Sequence, residues 1–307
     1  SLTVINMLAF SGCSSLKQIS IPSSVDSIGH LAFQQCLSLQ NVLLHSNIKS
    51  IGFGCFKCCL SLQKIFIPSS LTEIKSILFY GCISLMEIII PSSVTSICSS
   101  AFQMCKSLEK ISIPNSVVHI GCSVFKECNS LIDITIPSSV ISIGNIDLSN
   151  CPSLKQFSYL SSLNCIGNIN FCDCVNLTQI SIPPSVTTLV DDAFLRCGSL
   201  QEILIPPSIV RIGKDVFYGC HSLQELLIPS SVISIGNFNF ASCYSLKQIS
   251  FSPSLHCFGD VSFNNCSKIA HISCPSSISE MKIAAFAQCC SLEEIILPPP
   301  LKIIKES

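Results

Sequence analysis

The chain has 307 residues, of which 48% are hydrophobic and only 11% are charged, against about a quarter charged in an average globular protein. Its 17 basic and 18 acidic residues leave a formal net charge of -1, so no electrostatic term favours nucleic acid or an anionic membrane surface as a partner. Serine, proline or charged residues interrupt every apolar run before the roughly 18 residues that a spanning helix requires, so we expect a hydrophobic core and no membrane insertion by this segment.

The N-terminal residues 1–5 fall in the middle of a repeating unit and lack the basic start of a signal peptide. We therefore expect the sequence to be a fragment that begins mid-repeat, with its natural flanks outside it. On this interpretation, the lack of a signal or an anchor in the segment says nothing about the full-length protein.

One motif recurs through the whole chain. Thirteen cysteines follow one another at intervals of 23 residues without an insertion: Cys13, Cys36, Cys59, Cys82, Cys105, Cys128, Cys151, Cys174, Cys197, Cys220, Cys243, Cys266 and Cys289. Three positions before each cysteine stands a large apolar residue: Phe10, Phe33, Phe56, Phe79, Phe102, Phe125, Leu148, Phe171, Phe194, Phe217, Phe240, Phe263 and Phe286. A fixed period of this length indicates a stacked repeat architecture, here of thirteen repeats.

The repeat around residues 109–113 shows how each unit is expected to fold. These residues alternate apolar and polar side chains, which is the period-two pattern of a half-buried strand. Pro114 cannot donate a ladder hydrogen bond, so the strand should stop there and the chain should turn. A second extended piece follows, Gly121 permits a tight bend, and the apolar spacing of residues 124–128 predicts one turn of helix.

The units must stack, because no 23-residue unit can bury its apolar face alone. Equivalent strands should pair in parallel at about 4.8 Å, so that side chains of the same phase form internal columns. The predicted fold class is a repeat solenoid with a parallel β-sheet on the concave face and short extended and helical-turn segments on the convex face. We expect residues 1–307 to form a single solenoid without a domain boundary.

The unit Leu-x-x-Ile-x-Ile-Pro-x-x-Val-x-x-Ile-Gly-x-x-(Ala/Val)-Phe-x-x-Cys resembles the BspA-like, Treponema-type leucine-rich repeat, and the resemblance covers the whole chain. It implies a surface or secreted protein of an anaerobic bacterium or protozoan parasite, associated with adhesion to host proteins or other cells. Common leucine-rich repeats carry an asparagine ladder in the bend. Here the bends hold Ser24, Ser70, Ser93 and Ser139, with Asn47 as the exception, so we expect serine hydroxyls to satisfy the bend backbone.

The two outward positions of each strand should face the concave surface, where curved solenoids usually bind partners. One outward column is polar throughout: Gln18, Asn41, Lys64, Glu87, Lys110, Asp133, Gln156, Gln179, Glu202, Glu225, Gln248, His271 and Glu294. The other is mixed: Ser20, Leu43, Phe66, Ile89, Ser112, Thr135, Ser158, Ser181, Leu204, Leu227, Ser250, Ser273 and Ile296.

Three consecutive repeats of the mixed column would expose large apolar groups at Leu43, Phe66 and Ile89, and His45 replaces the repeated proline beside them. An exposed apolar patch often marks a partner site, so we predict partner binding at these residues, with Leu204 and Leu227 as a second exposed pair. Strand propensity or a missing terminal domain would also account for the apolar residues.

The seventh repeat is the most irregular. Leu148 replaces phenylalanine, Phe157 and Tyr159 replace the strand isoleucines, and Leu160 replaces proline. Core volume is conserved across these changes, and swaps of large groups within a packed layer usually compensate one another. We therefore interpret this repeat as a local repacking or a change of curvature rather than as a site.

The thirteen phased cysteines are expected to form a buried thiol column, because free cysteine packs as a small hydrophobe and parallel side chains oppose disulfide geometry. Nine cysteines lie outside the column: Cys55, Cys58, Cys98, Cys122, Cys165, Cys172, Cys257, Cys274 and Cys290. The clusters at 55–59 and 172–174 resemble fragments of metal sites, but neither has a second pair at zinc-finger spacing. We expect no metal site, and so many thiols suit a reducing or oxygen-poor environment.

Catalytic machinery is not visible in the sequence. Six histidines occupy six different phases of the repeat: His30, His45, His119, His221, His256 and His271. No nucleophile or carboxylate is locked to them in sequence, so we expect neither enzyme activity nor a cofactor. Asp191, Asp192 and Asp215 precede phenylalanines, where we interpret them as charges at the start of a helical turn. Glycosylation sequons begin at Asn176 and Asn265, although Cys266 in the second should be buried.

The predicted function is a non-enzymatic protein-recognition or adhesion module. In this interpretation the chain is the ectodomain of a cell-surface or secreted protein, and its concave face binds a host or cell-surface protein. An intracellular scaffold for protein–protein interactions fits the same physics. A signal sequence, an anchor or a glycan on the full-length protein would favour the ectodomain, and their absence would favour the scaffold.

Overall fold

The computed structural model describes residues 2–159, 165–256, 259–260, 262–278, 280–281, 284–299 and 301–304. Leu160, Cys257 and the side chain of Cys165 lie outside this description. Throughout the described ranges the chain forms short strands joined by turns, and no helix is present there.

The strands follow one another at short intervals along the chain. The first fourteen are β1 (Val4–Ile5), β2 (Gln18–Ser20), β3 (Ser27–Ile28), β4 (Asn41–Leu43), β5 (Ser50–Ile51), β6 (Lys64–Phe66), β7 (Glu73–Ile74), β8 (Glu87–Ile89), β9 (Ser96–Ile97), β10 (Lys110–Ser112), β11 (His119–Ile120), β12 (Asp133–Ile136), β13 (Ser142–Ile143) and β14 (Ile146–Asp147). They are followed by β15 (Gln156–Tyr159), β16 (Cys165–Ile166), β17 (Ile169–Asn170), β18 (Gln179–Ser181), β19 (Thr188–Leu189), β20 (Glu202–Leu204), β21 (Arg211–Ile212), β22 (Glu225–Leu227), β23 (Ser234–Ile235), β24 (Gln248–Ser250), β25 (His271–Ser273), β26 (Glu280–Met281), β27 (Glu294–Ile296) and β28 (Ile303–Ile304).

Parallel pairing at a constant offset joins neighbouring repeats. Paired residues are 23 positions apart, as in Phe66 with Ile89 and Glu225 with Gln248. A typical repeat contributes one strand of three or four residues, here called the face strand, and one two-residue strand, here called the back strand. The predicted parallel solenoid is therefore confirmed, and the face strand predicted at 109–113 forms at Lys110–Ser112.

The chain divides into two compact units. Unit 1 comprises Ser1–Cys151 and Ser158–Gly167, and unit 2 comprises Pro152–Phe157 and Asn168–Ser307. Unit 1 contains the face ladders β2–β4 and β6–β8–β10 and the back ladders β1–β3–β5 and β7–β9–β11–β13–β16. Unit 2 contains the face ladders β18–β20, β22–β24 and β25–β27 and the back ladders β19–β21–β23 and β26–β28. Each unit thus repeats the same pairing pattern.

Stacked phenylalanines run through the core of each unit. From Phe10 to Phe125 in unit 1, successive ring centroids lie 5.2 to 5.8 Å apart with nearly parallel planes. From Phe171 to Phe286 in unit 2, the spacing is 5.0 to 5.7 Å. These distances correspond to offset stacking, which aromatic rings prefer to a face-to-face sandwich. A flat side chain suits the column because it fits the close spacing of the repeats.

The segment before each column cysteine is not the helical turn that the sequence predicts. Ser123 and Glu127 have φ values of 54 and 59, which an α-helix does not accommodate. The Ser123 and Glu127 N–H groups donate to Asn145 O and Ser149 O in the next repeat, both at 3.0 Å. Between them, the Lys126 N–H donates three residues back, to Ser123 O at 3.4 Å. The helix prediction is wrong because the next repeat supplies the hydrogen-bond acceptors that a helix would find within itself.

The column cysteines are hydrogen-bonded as well as packed. Eleven of their thiols donate to the carbonyl oxygen of the phenylalanine 26 positions earlier, at 3.0 to 3.3 Å. Burial raises the pKa of these thiols, to about 12 for Cys151 and Cys243. The predicted buried column is confirmed from Cys36 to Cys266, whereas Cys13 is exposed and Cys289 is half-buried.

Serine and glycine fit the bends for separate reasons. As predicted, the Ser93 and Ser139 hydroxyls donate to Leu71 O and Val117 O of the preceding repeat, at 2.7 and 2.8 Å. Gly121 is needed for close approach rather than for an unusual φ, since a Cβ there would lie 2.3 Å from the backbone nitrogen of Ser99.

The irregularity around repeat seven comes from local turn chemistry. Asp147 and Asn170 occupy a position that is apolar in most repeats, and each Oδ1 accepts the N–H two residues ahead, from Ser149 and Cys172. Such Asx turns leave β14 and β17 extended where other repeats have a left-handed residue. Phe157 is buried and packs edge-on against Phe171 with centroids 5.3 Å apart.

Candidate functional site

The face strands present two outward columns of side chains, as the alternation of the sequence predicts. The middle residue of each three-residue face strand points inward and is buried in most repeats, while its two neighbours are exposed, as in Glu87–Ile89 and Glu202–Leu204. Side chains on one face of neighbouring parallel strands lie about 4.8 Å apart, so each outward column is a continuous surface row within its ladder.

Leu43, Phe66 and Ile89, here called the first apolar patch, lie in unit 1. Their exposed fractions are 66%, 63% and 74%, although the same position is serine in the flanking repeats at Ser20 and Ser112. Phe66 pairs in register with Ile89. The structure therefore brings these three predicted residues together on one surface.

The first apolar patch lines a shallow groove with the polar column beside it. Asn41, Lys64 and Glu87 form the other edge of this groove. The Lys64 ammonium lies 3.8 Å from the Glu87 carboxylate, and both side chains are largely exposed. A surface ion pair of this kind contributes little to stability, so both charges are available to a partner.

His45 does not join the first apolar patch as a free ligand-binding group. Its Nδ1 accepts the Asn47 N–H at 3.2 Å, and its Nε2 therefore carries the proton and donates to Pro22 O at 2.7 Å. The half-buried ring replaces the proline of other repeats by fastening the bend with two backbone hydrogen bonds.

Leu204 and Leu227, here called the second apolar pair, belong to unit 2. They are 73% and 64% exposed, and they line a groove with Glu202 and Glu225. The six predicted binding residues thus divide into one set in each unit, with His45 held by the backbone. Ile296, in the same column, is also exposed.

A further row of exposed apolar residues, just before the back strands, was not predicted from the sequence. Val210 and Ile233 in unit 2, and Ile141 in unit 1, are exposed at the position just before the back strand. Their N–H groups connect consecutive repeats, as from Ile233 to Val210 O at 3.1 Å. The same column comparison, applied to every phase of the repeat instead of to the face strands alone, would have found them.

The 23-residue offset also brings histidines beside polar partners that the sequence analysis did not connect. His119 Nδ1 lies 2.7 Å from Ser142 Oγ, and His271 Nδ1 lies 3.6 Å from Glu294 Oε2. Within the described ranges, no carboxylate forms an ion pair with His119. In many catalytic sites a third group orients the base, and the described ranges place no ion-paired carboxylate in that role beside His119.

The aspartates in the turns of unit 2 have structural roles. Arg196 donates two hydrogen bonds to Asp173, at 2.6 and 2.7 Å, which lowers the pKa of that carboxyl group. Asp191 Oδ1 accepts the Lys214 N–H at 2.8 Å, and Asp192 and Asp215 adopt the positive φ of the turn. Their interpretation as charges at a helix start is wrong, because no helix begins there.

Metal sites need a cluster of ligating side chains, and membrane spans need a long apolar helix. Among the residues that the structure describes, no group of three or more histidine, cysteine or acidic side chains could hold a metal ion. In the same ranges, no helix has the length and apolar character needed to cross a membrane.

Stacked 23-residue units with parallel face strands and an inward column of leucine, isoleucine and phenylalanine define a leucine-rich-repeat solenoid. The family described as "BspA type Leucine rich repeat region" matches residues 1–109, 95–224 and 188–307, which together span the chain. The chain therefore belongs to the BspA-type leucine-rich-repeat family, whose architecture is that of a protein-interaction module.

Solved bacterial proteins share this fold. A leucine-rich repeat protein from Bacteroides ovatus is 24% identical with a TM-score of 0.60, and the match covers 100% of this chain and 88% of that one. A leucine rich cell surface protein from Faecalibacterium prausnitzii is 24% identical with a TM-score of 0.53, covering 96% and 79%. The pneumococcal vaccine antigen PcpA is 19% identical with a TM-score of 0.55, covering 100% and 74%. No curated protein matches the sequence.

Proposed function

We infer that this chain is a recognition and adhesion module that binds a host or cell-surface protein through the face strands of unit 1, at the first apolar patch. One observation carries the proposal: Leu43, Phe66 and Ile89 are each more than 60% exposed, in a column where the flanking repeats place serine. Exposed apolar surface rimmed by polar groups is typical of protein-binding sites.

The size of the patch fits the centre of an interface. Completely burying one such side chain is worth roughly 1.5–3 kcal/mol, before the cost of association is subtracted. The three apolar side chains can therefore form the centre of an interface, although they do not supply the full free energy of binding. Asn41, Lys64 and Glu87 provide a polar rim beside the patch. The partner therefore needs an apolar projection surrounded by hydrogen-bonding or charged groups.

A location at the cell surface is part of the proposal. It is supported by the BspA-type family and by the fold shared with proteins described as a cell surface protein and as a vaccine antigen. Stacked repeats commonly present an extended surface for binding other proteins, so we propose recognition without catalysis. Protease accessibility of the native protein on intact cells separates this location from an intracellular scaffold, which would be protected until the cells are lysed.

The test is a double substitution, Leu43→Ser with Phe66→Ser, in the full chain. Binding to intact host cells and to immobilised matrix proteins should fall by about tenfold or more, while the thermal unfolding transition is retained because serine is the usual residue of this column. Ile141→Ser is the matched control, since Ile141 is 55% exposed in the same unit but lies outside the face strands. Undiminished binding by the folded double variant would refute the proposed surface.

A further inference from the structure

A second surface of different chemistry lies on the face strands of unit 2. Leu204 and Leu227 project from β20 and β22, and Glu202 and Glu225 project from the same strands two residues earlier. All four are exposed, and they line one groove. The groove therefore has an apolar edge and a parallel carboxylate edge.

The carboxylate edge has no cationic partner within the described part of the chain. None of the ion pairs there includes Glu202 or Glu225, whereas Glu87 beside the first apolar patch faces Lys64 at 3.8 Å. The nearby Lys247 ammonium is hydrogen-bonded to the side chain of Gln224 at 3.3 Å. Like charges on adjacent strands repel each other, so a ligand with cationic groups at this edge would reduce the repulsion between the Glu202 and Glu225 carboxylates.

The spacing of side chains along each edge of the groove matches the spacing of residues on one side of a helix. Neighbouring repeats are separated by about 4.8 Å, and residues three or four apart on a helix rise about 4.5 or 6 Å along its axis. In an extended segment, side chains on one face are about 6.6–6.8 Å apart, which falls out of step with the repeats. A helix lying across the strands would therefore place consecutive residues of one stripe over Leu204 and Leu227.

We propose that this groove binds an amphipathic helix of a partner protein, with an apolar stripe on Leu204 and Leu227 and an adjacent stripe of lysine or arginine on Glu202 and Glu225. The site deepens the proposed recognition function and rests on it for the class of ligand, but it is independent of the first apolar patch.

The probe is a synthetic helical peptide of about 20 residues, long enough to be helical in water, with leucines on one stripe and lysines on the next. A matched peptide carries glutamate at the lysine positions. The lysine peptide should bind the full chain and weaken as salt is raised, and the glutamate peptide should bind about tenfold more weakly or worse. Equal binding of the two peptides would overturn the proposal.

Substitutions place the binding on the groove. Leu204→Ser with Leu227→Ser and, separately, Glu202→Gln with Glu225→Gln should each weaken the lysine peptide by about tenfold, and the glutamine pair should also flatten the salt dependence. Serine is already the residue of this column at Ser181 and Ser250, so the leucine changes should leave the fold intact. Asp133→Asn is the matched control, because Asp133 is an exposed carboxylate of the same column with Thr135 as its neighbour. Full binding by either double variant contradicts the proposal.

The two proposed surfaces can fail separately. The Leu43→Ser, Phe66→Ser variant should bind the lysine peptide as the parent chain does. Loss of peptide binding in that variant would overturn the assignment to unit 2. If the lysine peptide does not bind the parent chain while cells are still bound through the first apolar patch, the helix site is refuted and the recognition function stands.

Discussion

Serines at one position of the bend differ in what their hydroxyl groups reach. The Ser93 hydroxyl donates to Leu71 O at 2.7 Å, whereas the Ser231 hydroxyl is buried and has no partner within the described chain. Ser93→Ala should therefore lower the free energy of unfolding by about 1 kcal/mol, and Ser231→Ala should be neutral or slightly stabilising. Urea denaturation of the two variants beside the parent measures both. Equal losses would show that the inter-repeat hydrogen bond is not what serine contributes.

At the same scale, sequence reasoning placed the exposed residues of the first apolar patch but not His45. The exposure of Leu43, Phe66 and Ile89 follows from strand alternation alone, because a period of two decides which side chains point outward. His45 was grouped with them by its position in the chain. Its hydrogen bond with the Asn47 N–H is local, but its bond to Pro22 O depends on how the bends of successive repeats stack, and no sequence period carries that information.

At the scale of one structural element, the thiol column should make the fold sensitive to alkali. Burial raises the pKa of Cys243 from 9.0 to about 12, so between these values the unfolded chain has lost a proton that the folded chain keeps. The contribution of Cys243 is therefore complete below about pH 9 and declines as the pH rises toward 12, by about 1.4 kcal/mol per pH unit. Urea midpoints under reducing conditions, from about pH 7 to pH 10, measure this slope.

The control for the alkaline slope compares two cysteines. Cys243→Ala should make the decline above about pH 9 shallower than in the parent, because one buried thiol no longer ionises on unfolding. Cys290→Ala should leave the slope unchanged, since Cys290 is already exposed in the fold. Parallel profiles for the parent and the Cys243 variant would contradict the assigned role of burial.

Elements were predictable where the repeat itself determines them. Face strands, back strands and the inward columns follow from periodicity, because each phase has the same neighbours in every interior repeat. The turn before each column cysteine was predicted as a helix, since its apolar spacing is helical while its hydrogen bonds go to another repeat. Repeat seven was predicted to be a repacking or a change of curvature because of its substituted large apolar residues. The backbone there differs because Asp147 and Asn170 form Asx turns, and the tendency of these residue types to form such turns could have indicated the difference.

At the scale of the whole molecule, the constant 23-residue offset means that the chain can lose one whole repeat and keep the remaining repeats in phase. Removing residues 198–220 joins Cys197 to His221 in phase and brings Phe194 against Phe240. Both rings now contact Phe217 at 5.7 Å, so the new neighbours should stack at the same spacing. Gly236 would take the place of Gly213, which packs against residues 190–191. A Cβ at either glycine would clash with backbone atoms of the preceding repeat, so the deletion keeps a glycine where one is needed.

Stability in such an array is approximately a sum of repeat terms and nearest-neighbour terms, so the in-phase deletion should cost one repeat and one interface and still unfold cooperatively. Deleting only 198–209 removes the same face strand but leaves 210–220, including Phe217 and Cys220, with no complete repeat to belong to. Those apolar side chains must either be exposed or displace their neighbours, so the shorter deletion should be the less stable protein. Circular dichroism and thermal unfolding of the two proteins compare them directly. If the shorter deletion were equally or more stable, the 23-residue offset would not be the quantity that holds successive repeats in register.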